Sequence, residues 1–360
     1  MKTKRFLIMA GGTGGHVFPA LATARLLQQK GHNVEWLGSV GGMEQRLIGD
    51  TDIPMSLIAV SGLRGKGRLA LLMAPFRLVR ALVQALGIMR RVKPDCVIGM
   101  GGFVTGPGGV AAWLTRTPLL VHEQNAIAGM TNRILARFAK TVMEAFPGSF
   151  GKQMVTRCTG NPVRQDLASL PEPAERLGGR SESLRLLVLG GSLGAQAINT
   201  TLPQALALMP EESRPTVRHQ CGTRNLEDAR RSYQDAGVEV SLEPFIEDMA
   251  EAYGWADAVL CRAGALTIAE LCAVGLGAIL VPFPHAVDDH QTQNGQQMVR
   301  AGAAILIPQN QLNADVLAET LATLTGDRNR VIALAQAARS LARADATERV
   351  VNYCLEAAHG

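Results

Sequence analysis

The sequence predicts an α/β chain folded as two domains, each built on a parallel sheet, and three observations carry that prediction. Short β-branched or apolar runs alternate with helix-period segments along all 360 residues. A strand that feeds a glycine loop opening a helix occurs near the start of each half. The length exceeds what one hydrophobic core ordinarily organises.

The strand runs fall at 6–9, 33–37, 96–100, 119–122 and 141–144 in the first half. In the second they fall at 184–189, 216–220, 239–242, 258–261, 278–281 and 303–307. Helices are expected between them, among others at 19–30, 196–209, 225–235 and 267–274. Such alternation makes right-handed crossovers and parallel sheets, and these strands divide better into two sheets than one. The stretch 162–183, with Pro171, Pro173, Gly178 and Gly179, reads as the linker. The expected domains are 1–163 and 164–339. Residues 328–358 read as helical throughout, so a C-terminal helix of about 340–360 can rejoin the first domain.

Hydrophobic residues make up 47% and charged residues 19%, enough to bury a large core and too apolar for disorder. The six cysteines are scattered without a C-x-x-C pair, which argues against a disulfide framework or zinc site and fits a reducing cytoplasm. The first five residues run straight into a strand pattern, without the apolar core of a signal peptide. The uncharged stretch 96–115 holds six glycines and Pro107, so it reads as strand, loop and helix start rather than a membrane span.

Net charge is +5, and the excess is clustered. No acid occurs from 53 to 94, yet Arg64, Lys66, Arg68, Arg77, Arg80, Arg90, Arg91 and Lys93 do, interleaved with leucines, valines and Phe76. This is either a core-facing helix with a solvated basic face or a basic apolar surface lying on an anionic membrane. Few aromatics and no recognisable module disfavour nucleic acid.

The paired loops are Gly11-Gly12-Thr13-Gly14-Gly15-His16 and Gly190-Gly191-Ser192-Leu193-Gly194-Ala195. A glycine loop at a helix start offers free N–H groups and the positive end of the helix dipole, both suited to a pyrophosphate. Two of them suggest twin Rossmann-like domains facing each other across a cleft. A dehydrogenase would need G-x-G-x-x-G and an acid ending the second strand. That strand ends Trp36-Leu37-Gly38-Ser39, with Glu35 inside it. No Gly-Lys-Ser/Thr follows either loop, so an NTPase is poorly supported. A third loop, 99–109, also follows a strand; it is either only a tight crossover or, with the other two, a sign of two phosphorylated ligands, one per domain.

These motifs, with His122-Glu123-Gln124-Asn125, Gly160-Asn161-Pro162-Val163-Arg164 and the run from Arg262 to Glu270, resemble the MurG family in order over nearly the whole chain. That family adds N-acetylglucosamine (GlcNAc) to undecaprenyl-linked muramyl-pentapeptide, lipid I, making lipid II. The resemblance implies an α/β fold of GT-B type, with two Rossmann-like parallel-sheet domains facing a central cleft. The first domain would bind the acceptor and the second the UDP-sugar.

By the same resemblance, Ser192 contacts the diphosphate and Arg164 offsets leaving-group charge. Glu270 accepts from the ribose hydroxyls. Ala265, Leu266, Thr267, Ile268 and Ala269 add backbone contacts, and the Ile246 backbone reads the uracil edge. Gln291 and Asn125 hold the sugar, and Thr13, Gly14 and Gly15 line the cleft opposite. Gly101, Gly102, Thr105 and Gly106 take the acceptor pyrophosphate. The chain departs from the family at His290 beside Gln291, at Cys261 for serine and at Phe103 for tyrosine.

The implied reaction is a single inverting displacement by the muramyl C4 hydroxyl. His16 is the expected base, because imidazole titrates near neutrality; its alternative role is to orient the loop or contact acceptor phosphate. No cofactor and no metal are implied: Asp50-Thr51-Asp52 reads as a turn. The implied partners are UDP-GlcNAc, lipid I, the cytoplasmic membrane surface and cell-wall synthesis proteins, placing the chain peripherally on that surface. The other hypotheses are a sister enzyme acting on another glycolipid and a non-catalytic nucleotide-sugar-binding subunit.

Overall fold

The computed structural model describes residues 2–60, 73–191, 194–286 and 289–359. It divides into two compact units, Met1–Arg164 with Asp345–Gly360, and Gln165–Ala344.

Among the described residues the first unit holds a seven-stranded parallel sheet. In chain order it runs β1 (Arg5–Met9), α1 (Gly14–Gln29), β2 (Asn33–Ser39), α2 (Met43–Gly49), β3 (Met55–Ile58), α3 (Ala74–Val92) and β4 (Cys96–Gly99). It continues with α4 (Thr105–Leu114), β5 (Leu119–Glu123), α5 (Met130–Leu135), β6 (Thr141–Glu144) and β7 (Arg157–Cys158). The strand order is β3-β2-β1-β4-β5-β6-β7. Its reversal beside β1 is a topological switch point, where open α/β sheets place ligands at the carboxyl ends of the strands.

Alternate residues of β1 feed opposite faces, the period-two signature of a strand covered on both sides. Phe6 and Ile8 pack with Val17, Ala20, Ala24 and Leu27 of α1. Leu7 and Met9 pack with Ala81, Ala85, Ile88 and Met89 of α3. The sequence reading missed β3 and β7, which are four and two residues long and show no run to detect. It also started α1 at residue 19. The helix opens five residues earlier, on glycines that are poor helix formers, and carries Pro19 inside.

The second unit holds a six-stranded parallel sheet among the described residues, of order β10-β9-β8-β11-β12-β13. It begins with α6 (Gln165–Ala168) and α7 (Pro173–Gly178). There follow β8 (Arg185–Leu189), α8 (Gln196–Leu208), β9 (Thr216–Gln220), α9 (Leu226–Asp235), β10 (Ser241–Glu243), α10 (Met249–Trp255) and β11 (Ala258–Cys261). The unit ends with α11 (Ala265–Val274), β12 (Gly277–Leu280), α12 (His290–Arg300), β13 (Ala304–Leu306), α13 (Ala314–Thr325) and α14 (Arg328–Ser340).

The stretch 162–183 contains the boundary between the two units, after Arg164, and its later part is pinned to the second unit. Arg176 donates to the Tyr253, Val274 and Gly275 carbonyls. Arg180 pairs with Asp257, whose other carboxylate oxygen accepts from Arg328 at 2.7 Å and from the Arg185 amide at 3.1 Å. Four cationic or amide donors therefore converge on two buried oxygens or nearby carbonyls, and this latches α7 to the second sheet. The expectation of one unbroken helix over 328–358 fails. α14 stops at Ser340 and α15 (Ala346–His359) begins after the chain has re-entered the first unit. There Val350, Val351 and Cys354 join the first core, and Lys4 Nζ donates to Ala358 O at 2.7 Å.

Candidate active site

The loop between β1 and α1 turns through Gly12 at φ 91°. The His16 and Val17 amides both return to Thr13 O at 3.1 Å, so the Gly14 and Gly15 amides open the helix with no partner inside it. Beneath the loop α2 sets Glu44, which is fully buried. Its carboxylate accepts from the Gly12 amide at 3.1 Å, the Ser39 amide at 2.7 Å and the Ser39 hydroxyl at 2.6 Å. Burial opposes ionisation of Glu44, but the hydrogen bonds from Ser39 and Gly12 prevail and hold its carboxyl below the usual range. The first loop thus carries a fixed negative charge and has already spent one amide. No motif in the sequence pointed to Glu44.

The third loop packs on the first. The Gly11 amide donates to Gly101 O at 3.3 Å and the Met100 amide to Met9 O at 2.8 Å. Gly101 and Gly102 both have left-handed φ, 96° and 89°. A Cβ on Gly102 would lie 2.3 Å from Gly11 O, and one on Gly101 would lie 2.5 Å from His16 Nδ1. Glycine is therefore required here for the backbone approach and for the seat of the His16 ring. Thr105 is fully buried, and its hydroxyl donates to Gly101 O at 2.8 Å. Its side chain thus braces the loop expected to take the acceptor pyrophosphate. Gly106 lies half-buried in the first turn of α4.

His16 is half-buried, and its Nδ1 lies 2.9 Å from Gln124 Oε1. Gln124 Nε2 lies 3.1 Å from His122 Nδ1, and His122 Nε2 lies 3.0 Å from Gly160 O. Burial pushes His122 down to about 4, so it is neutral at pH 7. Sequence reasoning gave a role in this motif only to Asn125, and left Gln124 and His122 without one. Asn125 follows β5, and its amide Nδ2 donates to Glu123 at 3.1 Å. Arg164 is half-buried and ends the first unit.

In the second unit Ser192 lies outside the described residues. The Gly190 amide donates to Gln220 O at 2.9 Å and the Gly191 amide to Gln220 Oε1 at 3.0 Å. Gln220 Nε2 returns to Gly191 O at 3.1 Å and reaches Pro244 O at 3.2 Å. One neutral side chain thus ties the glycine loop to the segment that carries Ile246, which is buried.

α11 opens after Gly264, whose carbonyl takes the Ile268 amide at 2.9 Å. Ile268, Ala269 and Glu270 therefore spend their amides inside the helix, and only those of Ala265, Leu266 and Thr267 face outward from its start. Glu270 is half-buried and accepts from the Tyr253 hydroxyl at 2.9 Å. Gln291 accepts from the Phe283 amide at 2.9 Å. A hollow of about 580 Å³ adjoins the glycine loop, lined by Gly194, Gln196, Asn225, Arg262, Phe283 and His285. A larger one of about 850 Å³ lies at the amino ends of β9 and β10, the wrong end of the strands for a ligand of this fold.

Glu35 is engaged by Arg91 at 2.8 Å and by Ser56, so it does not end β2 as a ribose acceptor. Asp52 sits in a turn with Arg25 and Gln28. Among the described residues no three His, Cys, Asp or Glu side chains are grouped to hold a metal, and no helix is long and apolar enough to cross a membrane.

Two Rossmann-like units, each a parallel sheet in which one strand, β1 or β8, feeds a glycine loop and a helix, define the GT-B architecture. Residues 6–144 match the glycosyltransferase family 28 N-terminal domain and residues 185–350 its C-terminal domain. A relative from Marinobacter nauticus is 74% identical over 357 residues, covering 99% of this chain and 98% of its own. It is named UDP-N-acetylglucosamine–N-acetylmuramyl-(pentapeptide) pyrophosphoryl-undecaprenol N-acetylglucosamine transferase. A protein of the same name from Hahella chejuensis is 57% identical, with 99% of each chain covered. The crystal structure of Acinetobacter baumannii MurG superposes with a TM-score of 0.85 at 42% identity, covering 98% of this chain and 99% of that one. The chain belongs to the MurG family.

Proposed function

We propose that this chain moves GlcNAc from UDP-GlcNAc to the C4 hydroxyl of the muramyl sugar in lipid I, with inversion, to give lipid II for peptidoglycan synthesis. The observation that carries the reading is full-length identity of 74% to a transferase of that name, across both units.

The donor belongs to the second unit. Its glycine loop is held by a neutral amide, whereas the first loop sits on the Glu44 carboxylate, and a diphosphate dianion favours the former. Ser192 and the amides of Ala265, Leu266 and Thr267 take the diphosphate side. Glu270 takes the ribose and the Ile246 backbone the uracil. Gln291, Asn125 and the Thr13–Gly15 amides address the sugar.

The acceptor pyrophosphate meets the loop and helix start at Gly101, Gly102, Thr105 and Gly106. In the reaction the muramyl oxygen bonds to the anomeric carbon and the bond to UDP breaks. The electron pair leaves with the diphosphate, next to Arg164, and the hydroxyl proton passes to His16. The amides and Arg164 offset the leaving charge without a catalytic metal.

The first unit docks on the cytoplasmic leaflet. α3 keeps Ala81, Ala85, Ile88 and Met89 in the core and leaves Phe76, Val79 and Val83 at 60–70% exposure beside exposed Arg77 and Arg80. Residues 61–72, with Arg64, Lys66 and Arg68, lie outside the described residues. Trp113 on α4 is also exposed and packs 5.6 Å from Phe138, with Arg116, Arg133 and Arg137 exposed nearby in sequence. Exposed apolar side chains mixed with cations suit an anionic interface.

The test is acceptor choice: purified enzyme with UDP-GlcNAc and either a lipid I analogue or diacylglycerol. A GlcNAc-bearing product from lipid I alone is expected. Glycosylated diacylglycerol in its place would assign the chain to a sister enzyme.

A further inference from the structure

We infer that Gln124 and His122 are positioning residues that fix the His16 proton on Nδ1 and so present Nε2 as the basic nitrogen. The inference rests on the reading of His16 as base and adds what sets its tautomer.

The argument starts at a backbone carbonyl. Gly160 O can only accept, and it lies 3.0 Å from His122 Nε2, so that nitrogen carries hydrogen. The Thr159 hydroxyl, 3.2 Å from the same nitrogen, itself donates to Gly160 O at 3.0 Å. A neutral His122 then has its lone pair on Nδ1, and Gln124 Nε2 donates to it at 3.1 Å. This turns Gln124 Oε1 toward His16 Nδ1 at 2.9 Å. An amide oxygen also only accepts, so His16 Nδ1 holds the hydrogen and Nε2 the lone pair.

The flipped amide fails. It would make His122 Nδ1 donate and leave the Nε2 lone pair facing the Gly160 carbonyl. Gln124 is 1% exposed and His122 fully buried, so water does not replace these partners. Gly101 completes the arrangement by leaving room for the His16 ring.

The choice of an amide has a consequence. A carboxylate at 124 would orient His16 equally but also stabilise its cation. The other titratable groups on the surrounding elements are Glu44 under the first loop, and His122 and Glu123 on β5. The 101–104 segment contributes none. Glu123 is committed to the Asn125 and Gly129 amides and to the Asn132 side chain.

The test is long-range ¹H–¹⁵N correlation spectroscopy on the full chain labelled at histidine, with kinetics on UDP-GlcNAc and a lipid I analogue. Wild type should show His16 protonated on Nδ1. Gln124→Ala should shift His16 toward the Nε2-protonated form and lower kcat about ten- to hundredfold, with KM for UDP-GlcNAc within about twofold. Gln124→Glu keeps an acceptor facing His16. It should restore the His16 Nδ1 tautomer but only part of kcat, because the donor to His122 Nδ1 is lost, while the acid limb of the pH–rate profile moves to higher pH by about one unit.

A wild-type His16 protonated on Nε2, or one whose tautomer ignores Gln124→Ala, overturns the inference. Expected spectra together with near-normal turnover in His16→Ala would leave the tautomer assignment standing and remove the base reading beneath it.

Discussion

The Glu44 carboxylate accepts the Gly12 amide at 3.1 Å, placing a buried negative charge directly under the first glycine loop. Gln220 serves the second loop with a neutral amide at 3.0 Å. Two loops that look alike in sequence are thus electrostatically different sites.

Glu44→Gln replaces a carboxylate that accepts three hydrogen bonds by a side chain that also donates toward the Gly12 or Ser39 amide. A loss on the order of 2 kcal/mol is expected, read as a lower Tm at neutral pH. The folded-state value of Glu44 is lowered, so its contribution is present above the ordinary carboxylate range and is lost as pH falls through that lower value. The melting difference between wild type and Glu44→Gln should accordingly narrow in acid.

Gln220→Ala releases Gly191 and Pro244 together. KM for UDP-GlcNAc should rise about tenfold, with KM for the lipid acceptor within about twofold. Steady-state kinetics with each substrate varied separate the two. A selective effect on the acceptor would reverse the assignment of the loops.

His122 and His219 are each pushed down to about 4, chiefly by burial. His219 bridges Tyr233 at 2.8 Å and Asn199 at 3.1 Å inside the second unit, as His122 does its partners in the first. The unfolded chain binds these protons near the ordinary histidine value. Stability is therefore full above about pH 6.5 and falls progressively toward pH 4, by on the order of 3 kcal/mol per site. Thermal melts between pH 7.5 and 4.5 should show both units weakening. A flat Tm across that window would contradict the burial argument.

Phe76, Val79, Arg77 and Arg80 share the exposed side of α3. Binding to vesicles containing phosphatidylglycerol should weaken with added salt and with Arg77→Gln/Arg80→Gln, and should fall further with Phe76→Ser. Sedimentation of enzyme with vesicles measures each. Insensitivity to all three would mark α3 as an ordinary solvated helix.

The parallel sheets and both glycine loops could be read from the sequence, because buried parallel strands and strand–glycine–helix junctions are local patterns. Strands of two and four residues at β7 and β3 are not, since pairing rather than composition makes them. The order within the Pro- and Gly-rich stretch at 162–183 was hidden for a related reason: it comes from Arg176 and Arg180 reaching carbonyls some 75 to 100 residues away in the chain. In the site, Gly101 and Gly102 were visible as glycines, but Glu44, Gln220 and the Gln124–His122 pair act through contacts across 29 to 108 positions, which no spacing rule encodes. The bond from the Thr105 hydroxyl to Gly101 O was not legible either, because it depends on the turn through Gly101 and Gly102.

The most direct measurement is transfer of labelled GlcNAc from UDP-GlcNAc to a lipid I analogue by wild type and His16→Ala in parallel, with the new linkage assigned by NMR. The expected result is a β-1,4-linked product from wild type and turnover reduced about a hundredfold or more in the variant. An α-linked product, or undiminished transfer by His16→Ala, would contradict an inverting displacement with His16 as its base.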